Sequence, residues 1–216
     1  MVNRTLLRRL AALLALPIAA GLLGSAPAAQ AGTTQASTTQ ASTASSLTCQ
    51  GHGIDPTAQL HHRAETFINA PLRTVWRLQT DVKRWPTWQK PVTSMKRLDP
   101  GPLRPGSRFR WTTPAPATPS TPATTLVITS TVHQLQPGQC LRWSGPAIGE
   151  GLRIDRGTHV WTFTPARGGV LVRTEESWTG NQIETDPATA IKYLAPGLDQ
   201  WLADLKTEAE AHPCRR

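Results

Sequence analysis

Val75 to Trp88 reads V-W-R-L-Q-T-D-V-K-R-W-P-T-W, and the reading of the whole chain turns on it. Just upstream, Thr66-Phe67-Ile68-Asn69 is strand-like and Ala70-Pro71 marks a break. Pro71 suits the first turn of a helix, where its missing N–H costs nothing. Leu72, Val75, Trp76 and Leu78 then fall on one helical face. Asp81-Val82 ends that helix. Arg84 to Trp88 reads as a second, short helix or turn, because Pro86 bars a long one. Two tryptophans three apart on so short a piece must cover something large.

Working outward to the N-terminus, Arg4, Arg8 and Arg9 precede an apolar run, Leu10 to Leu23, and then Ala29-Gln30-Ala31. A basic segment, a short apolar segment and an A-x-A site read as a secretory signal peptide over residues 1–31. The apolar run is short and interrupted for a membrane span, so no stable span is expected after cleavage. The chain carries 23 Lys+Arg against 14 Asp+Glu, a formal +9; removal of the three arginines in that segment leaves +6. Such a surplus bears mainly on solubility, and no Lys/Arg cluster interleaved with aromatics suggests nucleic acid. Residues 32–48 are rich in Thr, Ser, Ala and Gln. T-T-Q-A-S at Thr33–Ser37 repeats at Thr38–Ser42, and the expectation is a disordered leader. Residues 49–216 then form one domain, with its core at 60–211.

Leu60 to Asn69 is expected as the first strand and Val92 to Leu98 as the second. Ser107 to Thr113 alternates with period two, with Phe109 and Trp111 on one side and Arg108 and Arg110 on the other. Pro114 to Pro122 holds four prolines in nine residues and reads as an exposed loop at a hairpin tip. Thr125–Leu135, Cys140–Gly145, Gly157–Pro165 and Val170–Trp178 follow as strands separated by Gly-containing turns. No helix intervenes, which argues for an antiparallel meander. Asp186-Pro187 caps a final helix whose apolar stripe is Leu194, Leu198, Trp201, Leu202 and Leu205. Pro196-Gly197 is expected to kink or interrupt it.

The strand, the helix, the Trp-Pro-x-Trp turn and the strands after it resemble the SRPBCC group of the START superfamily, close to polyketide cyclase/dehydrase-like proteins. The resemblance covers roughly Leu60 to Glu210. It implies an α+β helix-grip fold: a curved antiparallel β-sheet wrapped around a long C-terminal helix, with two short helices after the first strand. Such a fold leaves an apolar cavity between sheet and helix, a natural small-molecule site. Eight tryptophans against three phenylalanines and one tyrosine give that cavity flat apolar faces with N–H edges. The residues expected to line it are Trp88, Phe109, Trp111, Trp143, His159, Trp161, Phe163, Glu176, Trp178 and Tyr193. Leu141 and Val172 share the inward phase.

Glu176 and His159 are candidate catalytic residues. Projecting from neighbouring strands, they could move a proton in an enolisation or aldol-type cyclisation; equally, they could be a buried pair that only ties the strands together. Glu175, one step out of phase, is expected to face solvent. No G-x-S-x-G elbow, metal-ligand spacing among the histidines, C-x-x-C pair or phosphate loop is present, so no metal or cofactor is expected. Three functions remain open on these residues. The first is an exported domain holding a hydrophobic or aromatic, polyketide-like ligand. The second is a cyclase/dehydrase-type enzyme using the same cavity. The third is a structural or interaction protein with a filled core. The oligomeric state is left open.

Cys49, Cys140 and Cys214 in an exported chain make a disulfide expected, and three pairings are possible. In the implied fold, the tail after the final helix would reach the turn before Cys140, so Cys140–Cys214 is the first expectation and Cys49–Cys214 its rival.

Overall fold

The Val75–Trp88 stretch folds as two short helices joined by a single 3-10 turn. The computed structural model describes residues 45–211, and every structural statement below concerns those residues. In chain order the elements are β1 (Leu60–Ile68), α1 (Leu72–Thr80), the 3-10 turn Val82–Arg84, α2 (Trp85–Trp88), β2 (Ser94–Arg97), β3 (Arg108–Ala115) and β4 (Thr124–Gln136). They continue as β5 (Cys140–Gly149), β6 (Leu152–Ala166), β7 (Gly169–Thr179), α3 (Asn181–Glu184) and α4 (Pro187–Ala211).

The seven strands form one antiparallel sheet in the order β1-β7-β6-β5-β4-β3-β2. Only β1 is out of sequence order, pairing with β7 from Leu60↔Trp178 to Ile68↔Val170. With α4 laid across the inner face, this is the helix-grip fold. Tight turns join the long strands; Gly168, at φ +84°, supplies the left-handed residue between β6 and β7.

The inner face of the sheet and the buried side of α4 share one aromatic core, and Trp85 is its hub. Its ring lies 4.8 Å from Trp201, 5.4 Å from Phe109, 5.8 Å from Trp143 and 6.1 Å from Trp111. Its Nε1 donates to the Gln79 carbonyl at 3.1 Å, and Trp201 Nε1 donates to Gln79 Oε1 at 3.2 Å. The opening stretch therefore ties α1, α2 and α4 together through one buried glutamine. On α1, Trp76 meets Phe163 edge-on at 5.2 Å.

Several expectations need correction. Pro114 belongs to β3, opposite Thr125. It lies beyond Thr112, the last β3 residue paired with β2, where β3 has become an edge strand and a missing N–H is tolerated. The final helix runs without a break from Pro187 to Ala211 with Pro196 inside it. Pro196 is exposed, and its missing N–H removes one helical hydrogen bond without ending α4.

The larger corrections concern the outer face. Ser46 and Leu47, expected in a disordered leader, lie against β7: Ser46 Oγ and Leu47 N–H donate to Glu175 Oε2 at 2.9 and 2.6 Å. Glu175 does point away from the cavity, but this strap buries it to 6% exposure. The strap continues over β5, where Arg142 Nε donates to the Gly53 carbonyl at 2.7 Å, and Asp55 N–H donates to Ser177 Oγ at 3.1 Å. Beneath it Leu47, Cys49, Cys140 and Val160 form a small apolar cluster.

Cys140 is disulfide-bonded to Cys49, with Cα atoms 5.4 Å apart, and not to Cys214. The reason is phase. Leu141 and Trp143 face α4, so Cys140 must point to the opposite face, where the strap runs. Cys214 lies outside the described residues, as do the signal peptide and most of the leader. Closing a loop of 91 residues stabilises the fold by roughly 2–4 kcal/mol through the unfolded state.

Candidate functional site

A cavity of about 200 Å3 lies on the inner face where the aromatic core meets a second apolar cluster of Leu60, Leu126, Ala147, Ile154, Trp178 and Ile183. One glycine helps create it. Gly145 and Gly157 are register partners on β5 and β6; a Cβ on Gly145 would meet the Thr129 carbonyl of β4 at 2.0 Å, whereas Gly157, in phase with His159, leaves an inward position without a side chain. A Cβ on Gly157 would stand 3.1 Å from Glu176 Oε1. The exposed Pro114, Pro116 and Gly197, with half-buried Tyr193, place the mouth between the β3–β4 hairpin and α4.

Of the ten side chains expected to line a cavity, Trp111, Trp143, His159, Glu176, Trp178 and Tyr193 do so. Trp88, Phe109, Trp161 and Phe163 do not; they are consumed by the packed core. Trp161 shows why. It stacks on Trp143 at 6.1 Å and lies 6.1 Å from Trp201, so its faces are already covered by protein. A Trp that fills space between helix and sheet leaves no surface for a ligand.

His159 and Glu176 are register partners on β6 and β7, and His159 Nε2 meets Glu176 Oε1 at 2.5 Å. The imidazole stacks on Trp143, with centroids 4.9 Å apart. Both residues are more than nine-tenths buried, and His159 Nδ1 has no hydrogen-bond partner. The indole stack and the carboxyl group together hold the ring in one orientation. The site therefore offers a fixed carboxyl–imidazole pair in an apolar chamber, a combination able to accept and return a proton.

Of the other polar groups in the wall, Trp111 Nε1 donates to Ser130 Oγ at 3.2 Å, while Trp143 Nε1 has no partner. Gln89 goes further. It lines the cavity, is 1% exposed, and neither side-chain amide atom has a partner. Reading the sequence by strand phase overlooks it because it sits in the turn after α2, where no periodicity applies; its one signal is its place directly after Trp88. Trp201 escapes notice as a wall residue for the opposite reason, being counted in the helix stripe. Among the described residues no group of His, Cys, Asp and Glu is arranged to hold a metal, and no helix is long and apolar enough to cross a membrane.

A family model described as polyketide cyclase / dehydrase and lipid transport matches residues 59–210. Among solved structures, the chain is similar to the Zhui aromatase/cyclase from Streptomyces sp. R1128, with a TM-score of 0.55, 13% identity, and coverage of 70% of this chain and 94% of that one. It is also similar to the protein TTHA0849 from Thermus thermophilus, with a TM-score of 0.55, 20% identity, and coverage of 71% and 99%. At these identities the likeness is one of fold. No curated protein matches the chain.

Proposed function

Since the chain belongs to the polyketide cyclase/dehydrase and lipid transport family, we propose that it is an exported domain that holds a small hydrophobic, aromatic ligand between its sheet and α4. The observation that carries this reading is the cavity itself: about 200 Å3, walled by Trp111, Trp143, Trp178 and Trp201, with a mouth beside Tyr193. Pockets for drug-sized ligands run to roughly 300–1,000 Å3. This one suits a ligand of one or two rings. The Cys49–Cys140 disulfide supports export, because such bonds persist in oxidising compartments.

Native mass spectrometry of the secreted protein, with extraction of any bound small molecule, tests the reading. A co-purifying aromatic compound is expected, on a chain that begins near Gly32. An empty protein that takes up no hydrophobic dye overturns ligand binding; retention of the chain in the cytoplasm overturns export.

One observation favours a second reading, catalysis in the same cavity: the 2.5 Å contact of His159 with Glu176 inside an apolar chamber. In an enolisation, the carboxyl–imidazole pair would accept a proton from carbon beside a ligand carbonyl and return it to oxygen or carbon, with no net change in atoms. Glu176→Gln would then abolish turnover of an enolisable aromatic ketone while leaving its affinity within a few-fold. Equal turnover by Glu176→Gln and the parent removes the catalytic reading and leaves the binder.

A further inference from the structure

Gln89 is held by its backbone and left free by its side chain. Its N–H donates to the Trp85 carbonyl at 2.7 Å, and its carbonyl accepts from Val92 N–H at 2.9 Å. The turn after α2 thus uses both main-chain groups. Pro91, two residues on, has no N–H to offer the side chain. Gln89, 1% exposed, is one of the residues that line the cavity, and neither Oε1 nor Nε2 has a partner. Burying an amide in this way is costly, and a Leu or Met of similar size would fill the space without that cost. A buried amide with both functions vacant is a site that awaits a complementary edge.

We propose that Gln89 reads the ligand, and that the ligand is a flat, neutral one- or two-ring compound with a hydrogen-bond donor beside an acceptor on one edge, as in a lactam or an aryl carboxamide. This rests on the small-molecule reading above. Flatness follows from the indole walls of Trp111, Trp143 and Trp201. Size follows from the cavity volume. Neutrality follows from Glu176 in the same wall, which would set a ligand acid beside a second carboxyl group. The adjacent donor and acceptor follow from the amide, whose Oε1 accepts and Nε2 donates along one side.

Equilibrium dialysis with three probes tests it: 2-quinolone, which carries N–H beside C=O; N-methyl-2-quinolone, which lacks the donor; and naphthalene, which lacks both. The parent is expected to bind 2-quinolone about tenfold or more tighter than the N-methyl compound. Gln89→Leu and Gln89→Met should each erase that preference and leave naphthalene binding as tight as before. Equal affinities of the two quinolones for a parent that still binds naphthalene overturn the role of Gln89 and leave the binding reading intact. A preference that survives both substitutions assigns recognition elsewhere and also overturns it. If neither variant folds, the amide is a folding element and the proposal fails. If the parent takes up none of the three aromatics, the small-molecule reading fails as well.

Discussion

Gln79 and Gln89 are ten residues apart on the same stretch, and both are buried, at 0% and 1% exposure. Their surroundings differ. Gln79 sits in the aromatic core, where its carbonyl accepts the Trp85 indole N–H and its Oε1 accepts that of Trp201; only its Nε2 lacks a partner. Gln89 sits in the cavity wall with its whole amide vacant. The first glutamine is explained by folding: it satisfies two indoles that must be buried where three helices meet the sheet. The second is not, because its removal would leave no protein group without a partner. The same contrast divides the tryptophans. Trp85 and Trp161 are wholly buried among other rings, whereas Trp111, Trp143 and Trp201 pack on Trp85 and also line the cavity.

The largest test sets Trp143→Ala against Trp161→Ala. Each removes a buried indole and is expected to cost about 3–5 kcal/mol of stability in denaturant unfolding. Only Trp143→Ala should weaken binding of an aromatic probe per folded molecule. If both do so alike, the division between core and cavity breaks.

Next comes the glutamine pair itself. Gln79→Leu strands the Trp201 indole N–H in the core and should cost about 1–3 kcal/mol. Gln89→Leu strands nothing and should leave the unfolding midpoint unchanged or raise it. Equal losses for the two would mean that Gln89, like Gln79, is a structural group.

The smallest effect comes from a control outside both regions. Asp99 accepts from Arg108 N–H at 2.5 Å, from Arg97 at 2.7 Å and from Ser107 Oγ at 3.0 Å, closing the β2–β3 loop. The Arg108 N–H first, and then Arg97 and Ser107, hold its carboxyl at about 2, below its ordinary 3.8. A carboxyl lowered by folding stabilises the fold above its unfolded value, and that stability fades as pH falls toward about 2. Asp99→Asn should therefore lower the melting temperature slightly at neutral pH, with the gap to the parent closing between about pH 4 and pH 2. Ligand affinity should not move. A gap that widens in acid would contradict the linkage, and a change in affinity would show that the loop and the cavity are coupled.

Much of this was legible in the chain because it is local. The helix break at Asp81, the Trp-Pro-x-Trp turn, the alternation of Phe109 and Trp111, the Gly-containing hairpins and the stripe from Leu194 to Leu205 each depend on residues a few positions apart. Strand phase also placed His159 and Glu176 on one face, and the register makes them partners. Phase gave direction only; occupancy depends on what arrives from elsewhere. Trp161 and Phe163 point inward as expected, but α1 and α4 fill the space in front of them. Glu175 and Cys140 point outward as phase demands, yet a strap from far upstream covers one and bonds the other. Gln89 lies in a turn, where no period exists to read. Sequence periodicity by itself determined which way each side chain turns. Only the tertiary structure decided which of those sides is packed, strapped or left open, because that depends on segments distant in the chain competing for the same volume.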